Sequence, residues 1–219
     1  MTWQVPHEFA PMGTDTDGVD PDSRLDRPWL VGRDLAVLAG ADRRLTQLQV
    51  FFECKQASAG DRLAENASTE YIESALSPWG PCVLGFAARG LAVLSFAEGS
   101  PWRPVVGSAP EPQTVHPLFR GDLKDLSLHL RGSAFELAVW RALLCVPRGC
   151  TTTYGAIARE IGQPRAARAV GAAVGRNPVA WIVPCHRVLP ANGSIGGFRW
   201  GAALKRRMLQ AEGVAVTAS

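Results

Sequence analysis

Residues 182–188 read IVPCHRV and set a thiol, an imidazole and a guanidinium side by side. A cysteine beside a histidine can be a nucleophile with its base, a metal ligand or a reducible partner. It can also be a small buried residue with no chemistry at all. Ile182 and Val183 predict a short buried strand that Pro184 stops, leaving Cys185, His186 and Arg187 where a rigid element ends. Other candidates for such chemistry are dispersed. The five cysteines contain no CxxC pair and the four histidines are scattered, so zinc-ligand spacing is absent and no metal is expected. Cys145 and Cys150, in LLCVPRGC, read as core or loop filler across a Pro-Arg-Gly turn. An odd cysteine count without a basic-then-apolar leader argues against a disulfide scaffold and for a cytoplasmic location.

Charge is partitioned along the chain. Residues 131–219 hold 12 Lys and Arg against 3 Asp and Glu, whereas the first 130 hold 11 against 17. A basic C-terminal part joined to an acidic N-terminal part is the pattern of a polyanion-binding domain with a non-binding neighbour. At 47% hydrophobic and 20% charged the chain can bury a core, and no apolar run is long enough to span a membrane.

The elements that must position these residues follow from the pattern. Residues 1–30, rich in Asp, Pro and Gly, read as a loose arm. Residues 31–60 carry apolar positions compatible with one or two helical pieces. CVLGFAA and LAVLSFA read as strands of a hairpin about Arg89-Gly90, with SPWGP as the turn before them. Residues 100–125 read as irregular. From 132 the pattern turns helical, with Ser133 as an N-cap and a stripe of Phe135, Val139, Leu143 and Leu144. A second helix starts near Thr153 and ends at Gly162. A third follows, with Pro164 in its first turn and Gly175 near its end. The second and third helices, joined by Gly-Gln-Pro, make a helix-turn-helix candidate. In RAARAVGAAVGR, Ala or Gly fills seven of twelve positions among Arg165, Arg168 and Arg176. Such a helix can approach a nucleic-acid groove closely, or pack tightly on another helix with its arginines in solvent. LPANGSIGGFRWG is a Gly-rich loop suited to walling a pocket, with Phe198 and Trp200 available to stack on a base. A basic helix, AALKRRMLQAEGV, closes the pattern.

From 132 to 213 the order of AFELAVWRAL, VPRGCTTTYGAIA, IGQPRAARAVGAAVGRNPVAWIVPCHRV and GGFRWG, then Lys and Glu-Gly, resembles the O6-alkylguanine-DNA alkyltransferases. These are also called methylated-DNA–protein-cysteine methyltransferases. The GFRWG ending looks most like the repair domain of adaptive-response (Ada-type) regulators, and residues 71–97 resemble the family's small N-terminal domain more weakly. The resemblance implies an α+β (α/β) architecture. A small, shortened ribonuclease-H-like sheet domain (71–130) would precede a mainly helical, winged helix-turn-helix-like alkyltransferase domain (131–219). Residues 1–70 would be an arm or linker.

The same resemblance implies single-use transfer of an alkyl group from O6-alkylguanine in double-stranded DNA, and leaves open whether O4-alkylthymine is also a substrate. The protein would be a monomer needing no cofactor and no membrane. Cys185 would be the acceptor, His186 its base through a bridging water, and Glu212 the orienter of the imidazole. Asn177 would hold the active-site loop, and Tyr154 would assist the leaving guanine. Arg168 would fill the gap left by the flipped base, with Arg165, Ala166, Ala167, Gly171, Arg176 and Thr153 also against DNA. Val183, Pro184, Ser194, Gly197, Phe198 and Arg199 would form the guanine pocket. The competing readings are an alkylated-base-binding or regulatory DNA-binding protein with impaired transfer, against which Cys185 counts directly, and a Cys-His hydrolase on an unrelated fold, for which adjacent Cys185 and His186 are poor geometry.

Overall fold

The computed structural model describes residues 29–30, 48–54, 69–96, 115–120, 123 and 126–215. Strands β1 (Trp29–Leu30), β2 (Gln49–Cys54), β3 (Tyr71–Ser77), β4 (Gly80–Ala87), β5 (Gly90–Phe96) and β6 (Ser127–Gly132) form one mixed sheet in the order β1-β2-β6-β5-β4-β3. β4 and β5 form the hairpin that the apolar runs around Arg89-Gly90 predict, and β3 adds a third antiparallel strand that the pattern did not single out. Gly90 sits at φ +129, and a Cβ there would lie 2.2 Å from the Ser127 carbonyl oxygen, so β5 can start against β6 only with glycine.

The helical reading of 31–60 is corrected over Gln49–Cys54. This stretch is a strand, parallel to β6 from Gln49↔Ser127 to Cys54↔Gly132. Val50 and Phe52 alternate into the core, a period of two that β-branched and aromatic residues favour. Trp29–Leu30, expected in a loose arm, pairs antiparallel with β2. The sheet therefore draws on residues before 71, and β6 crosses the boundary expected at 130. The remaining expectations for 1–28, 31–47, 55–68 and 97–114 fall outside the described residues.

Four α-helices follow: α1 (Ala134–Leu144), α2 (Tyr154–Glu160), α3 (Ala167–Gly175) and α4 (Ala202–Ala211). Ser133 caps α1 in a full capping box, in which its hydroxyl accepts from Glu136 N–H and Glu136 accepts from Ser133 N–H. The buried α1 face joins Leu137, Trp140 and Leu144 to Val50, Phe52, Leu128 and Leu130 of the sheet in one core. Each such side chain, fully buried, stabilises the fold by roughly 1.5–3 kcal/mol. Thr153 caps α2 by accepting from Ala156 N–H (3.1 Å), and Gly162 at φ +71 follows its end. α3 starts later than its proline suggested. Pro164 lies in a turn that Ala166 N–H closes onto the Gln163 carbonyl, and the helix begins at Ala167.

Two features tie the helical part to the sheet. The short parallel pair β7 (Thr152–Thr153) and β8 (Val188–Leu189) joins the start of α2 to the chain after Arg187. β5 pairs with β6 at Leu91↔Leu128, and farther along its edge receives a different segment. There Leu94 N–H donates to the Pro178 carbonyl (2.9 Å), and Ala180 N–H donates to the Leu94 carbonyl (3.0 Å). The sheet thus grips the loop that leads to Cys185. Among the described residues, no helix is long and apolar enough to cross a membrane.

Candidate active site

Ile182 and Val183 are not a strand. Ile182 N–H bonds the Ala180 carbonyl and Val183 N–H bonds the Val179 carbonyl, so residues 179–183 coil tightly before a 3₁₀ turn over Cys185–Arg187. Asn177 holds this coil from inside. Its Nδ2 donates to the Val183 carbonyl (2.7 Å) while its Oδ1 accepts from Val179 N–H (3.1 Å). Asn177 is buried, so these bonds satisfy polar groups that water cannot reach.

Cys185 is 3% exposed and His186 is fully buried. Behind them stands Glu212, just past the end of α4. His186 Nε2 lies 3.2 Å from Glu212 Oε1. An ionised carboxylate only accepts, so Nε2 carries the proton and Nδ1 keeps its lone pair. Nδ1 has no protein hydrogen-bond partner among the described residues. Glu212 also receives both Nε (2.9 Å) and Nη2 (2.7 Å) of Arg187, whose Nη1 donates to the Val146 carbonyl. Arg187 is therefore a buried brace between the turn, Glu212 past the end of α4, and Val146 past the end of α1.

Electrostatics follow from burial and these partners. Burial pushes the Cys185 thiol above its ordinary pKa, offset in part by Asn177, Lys205 and Arg199. Burial lowers His186, against the pull of Glu212. For Glu212, burial alone would raise the pKa, but the hydrogen bonds from His186 and Arg187 outweigh it and hold the carboxyl at about 2. The resting pair is a neutral thiol beside a neutral imidazole.

Sequence reasoning missed Lys205, which is 1% exposed. Its Nζ donates to the carbonyls of Val188 and Ile195, both at 2.7 Å, and approaches that of Gly197 at 3.5 Å. Burial brings its pKa down to about 8, and Cys185 opposes the shift. With Glu212 balanced by Arg187, Lys205 and Arg199 are the cations among the described residues that act on the thiol, and Lys205 is the buried one. The signal was present in the sequence: Lys205, Met208, Leu209 and Glu212 share one face of α4 at helical spacing, and all are buried.

A cavity of about 440 Å³ opens over Cys185. Tyr154, Gly171, Val174 and Gly175 line one side, and Gly197, Phe198, Arg199 and Trp200 the other. Of the expected pocket residues, Val183 and Pro184 are buried and Ser194 bonds Asn192, and none of these three lines the cavity. Gly196 shapes the loop at φ +65, where a Cβ would meet the Pro190 ring at 2.7 Å. Burial, then Cys185, raises the Tyr154 phenol.

The helix beside this cavity has two faces. Val170, Ala173 and Val174 are buried, and Trp140 Nε1 donates to the Ala173 carbonyl (3.0 Å). Arg168, Ala169, Ala172 and Gly175 are exposed, with Arg165 exposed just before the helix and Ala166 and Ala167 half-buried. Gly171 is half-buried, lines the cavity and lies against the Tyr154 ring. Arg176 is engaged by Glu136 (2.5 Å), and the Thr153 hydroxyl serves as the α2 cap. Among the described residues no His, Cys, Asp or Glu cluster forms a metal site.

Comparison with known proteins is consistent with this arrangement. A family described as 6-O-methylguanine DNA methyltransferase, DNA binding domain, matches residues 134–214. A methylated-DNA–protein-cysteine methyltransferase of Methanosarcina acetivorans is 42% identical over 147 residues, 63% of this chain and 94% of that protein. The protein of the same name from Mycobacterium tuberculosis is 42% identical over 145 residues, covering 62% and 88%. The crystal structure of M. tuberculosis OGT in complex with DNA superimposes with a TM-score of 0.54 at 38% identity, over 64% of this chain and 91% of that one. This chain belongs to the methylated-DNA–protein-cysteine methyltransferases.

Proposed function

We propose that this protein repairs double-stranded DNA by moving the alkyl group of O6-alkylguanine irreversibly onto Cys185, once per molecule. The observation that carries the reading is the Glu212–His186 pair fixed behind Cys185 at the floor of a cavity, beside a helix whose open face is alanine, glycine and arginine.

The Cys185 proton passes through a water to His186 Nδ1, the nitrogen that Glu212 leaves free. The imidazolium is then stabilised by Glu212 and the thiolate by Lys205. Sγ attacks the alkyl carbon, the S–C bond forms as the C–O6 bond breaks, and the electron pair moves into the guanine ring. A proton from the Tyr154 phenol meets it there, and Tyr154 regains a proton from solvent as His186 releases the thiol's. The thioether does not hydrolyse, so the protein is spent.

A buried thiol cannot reach O6 inside a duplex, so the base must leave the stack. The exposed small residues of α3 let its backbone approach the minor groove closely. Arg168 at its start would fill the gap in the stack and Arg165 would meet phosphates, which their exposure supports. Phe198 and Trp200 wall the pocket for the flipped base. The β3–β5 meander with β6 and β2 parallel beside it supports a ribonuclease-H-like reading of the sheet. The pairing of β7 with β8 next to α2 and α3 supports a winged helix-turn-helix reading of the rest. A reducing cytoplasm would keep Cys185 competent.

Incubation with a duplex carrying O6-methylguanine labelled in the methyl group tests this. The expected result is a single label per molecule on Cys185, lost in Cys185→Ala while DNA binding survives. Wild-type protein that binds the lesion and takes no label would instead establish alkylated-base binding without transfer.

A further inference from the structure

The imidazole of His186 has a neighbour that the relay of Glu212, His186 and Cys185 does not use. Trp181 stacks on it, with ring centroids 5.2 Å apart and planes inclined by 17°. Trp181 holds φ +69, a left-handed backbone that bulky residues rarely adopt, and it alone among the described non-glycine residues does so. The backbone conformation is what turns the indole back over the turn it precedes. The indole also meets Trp79, in the turn between β3 and β4, at 4.2 Å between centroids with the planes inclined by 55°. Trp79 is in turn fixed edge-on by Phe96 and Phe119, each at 6.1 Å. An aromatic column thus runs from the sheet to the face of the histidine. The Leu94–Val179 pairing, two residues before Trp181, anchors the same loop to the same sheet.

An indole face attracts a cation, and does so more strongly where water is excluded. His186 is neutral at rest and becomes a cation only when it takes the Cys185 proton. The other charged or titratable groups about the ring are Glu212 and Lys205 from α4, and Arg187 and Cys185 from its own turn. Glu212 reaches the ring in its plane, through Nε2. Trp181 covers its face.

We propose that Trp181, backed by Trp79, is a positioning residue for alkyl transfer: it fixes the plane of His186 and favours the imidazolium, and so the thiolate of Cys185. The proposal rests on the relay described under Proposed function. It gives the sheet part of the molecule a direct role in the chemistry of the helical part.

The sign of one measurement separates this from a merely structural role. His186 is titrated by NMR in histidine-labelled protein carrying Cys185→Ser, with Trp181 intact or replaced by Leu or Phe. Loss of the indole face lowers the His186 pKa in Trp181→Leu by roughly half a unit to one and a half, whereas Trp181→Phe keeps most of the wild-type value. In the Cys185 background, single-turnover transfer from O6-methylguanine DNA falls about three- to thirtyfold in Trp181→Leu and largely recovers in Trp181→Phe. Trp79→Leu, which leaves the active-site loop sequence intact, shifts both quantities the same way by less. A leucine that only loosened the loop would admit water and raise the pKa toward the ordinary histidine value. A raised or unchanged pKa, or a Phe variant as impaired as Leu, overturns the proposal. The titration needs no substrate, so a wild-type protein that fails to transfer refutes the functional reading and leaves this test standing.

Discussion

Replacing Glu212 by glutamine removes one charge and almost no volume from the most constrained point of the site. The side chain is fully buried and accepts from His186 Nε2, Arg187 Nε and Arg187 Nη2. A glutamine oxygen in the place of Oε1 still accepts from His186 Nε2 and Arg187 Nη2, but the amide nitrogen in the place of Oε2 cannot accept from Arg187 Nε, and the guanidinium is left buried without an anion. Two routes give the magnitude. The carboxyl is held at about 2 instead of 4.5, which at neutral pH corresponds to about 3 kcal/mol of stability. Breaking a buried ion pair from one side typically costs about 3–5 kcal/mol. For a protein of this size about 3 kcal/mol lowers the melting temperature by about 6–12 °C. The pH dependence has a definite sign. A depressed folded-state pKa means that the stabilisation is complete above about pH 4.5 and is lost as pH falls toward 2. The gap in unfolding free energy between wild type and Glu212→Gln should therefore be full at pH 7 and close progressively below pH 4.5. Transfer should fall by about two orders of magnitude or more, because the imidazolium loses its counter-charge. Calorimetry from pH 7 to pH 3 with single-turnover kinetics checks both. A variant that melts like wild type at pH 7, or a gap that stays constant with pH, would refute the ion-pair reasoning.

Two further outcomes are expected. Arg168→Ala should slow repair of duplex DNA far more than transfer from free O6-benzylguanine, because an exposed residue on α3 acts on the helix and not on the thiol; equal losses would remove the role in base flipping. Lys205→Met should lower the transfer rate at least tenfold at pH 7, since the positive charge near the thiolate and two carbonyl ties are lost together. The deficit should narrow above pH 8, where the wild-type lysine itself gives up its proton. A deficit independent of pH would leave Lys205 with a structural role alone.

Local sequence determined what depends on near neighbours. The capping box at Ser133 and Glu136, the cap at Thr153 and the β4–β5 hairpin form within a few residues, so pattern and spacing reveal them. The PCHRV stretch and the small-residue helix, in their order and spacing, carried the family resemblance and with it the expectation that Cys185 is the acceptor, and the partition of charge pointed to a polyanion partner. What tertiary structure decided are the partners. β2 pairs with β6 across the whole small sheet part, and nothing in QVFFEC names that partner, so a period compatible with helix gave way to strand pairing. Pro184 suggested a strand end, but Asn177 and the sheet edge coil the chain instead. Arg187 and Lys205 could be seen as charges, yet only the fold buries one against Glu212 and turns the other toward the carbonyls around Cys185. Trp79 and Trp181 lie far apart in sequence and touch because β5 grips the active-site loop. Types and spacing specify which groups can react; their protonation is set by burial and by neighbours from distant elements, which exist only once the chain has folded.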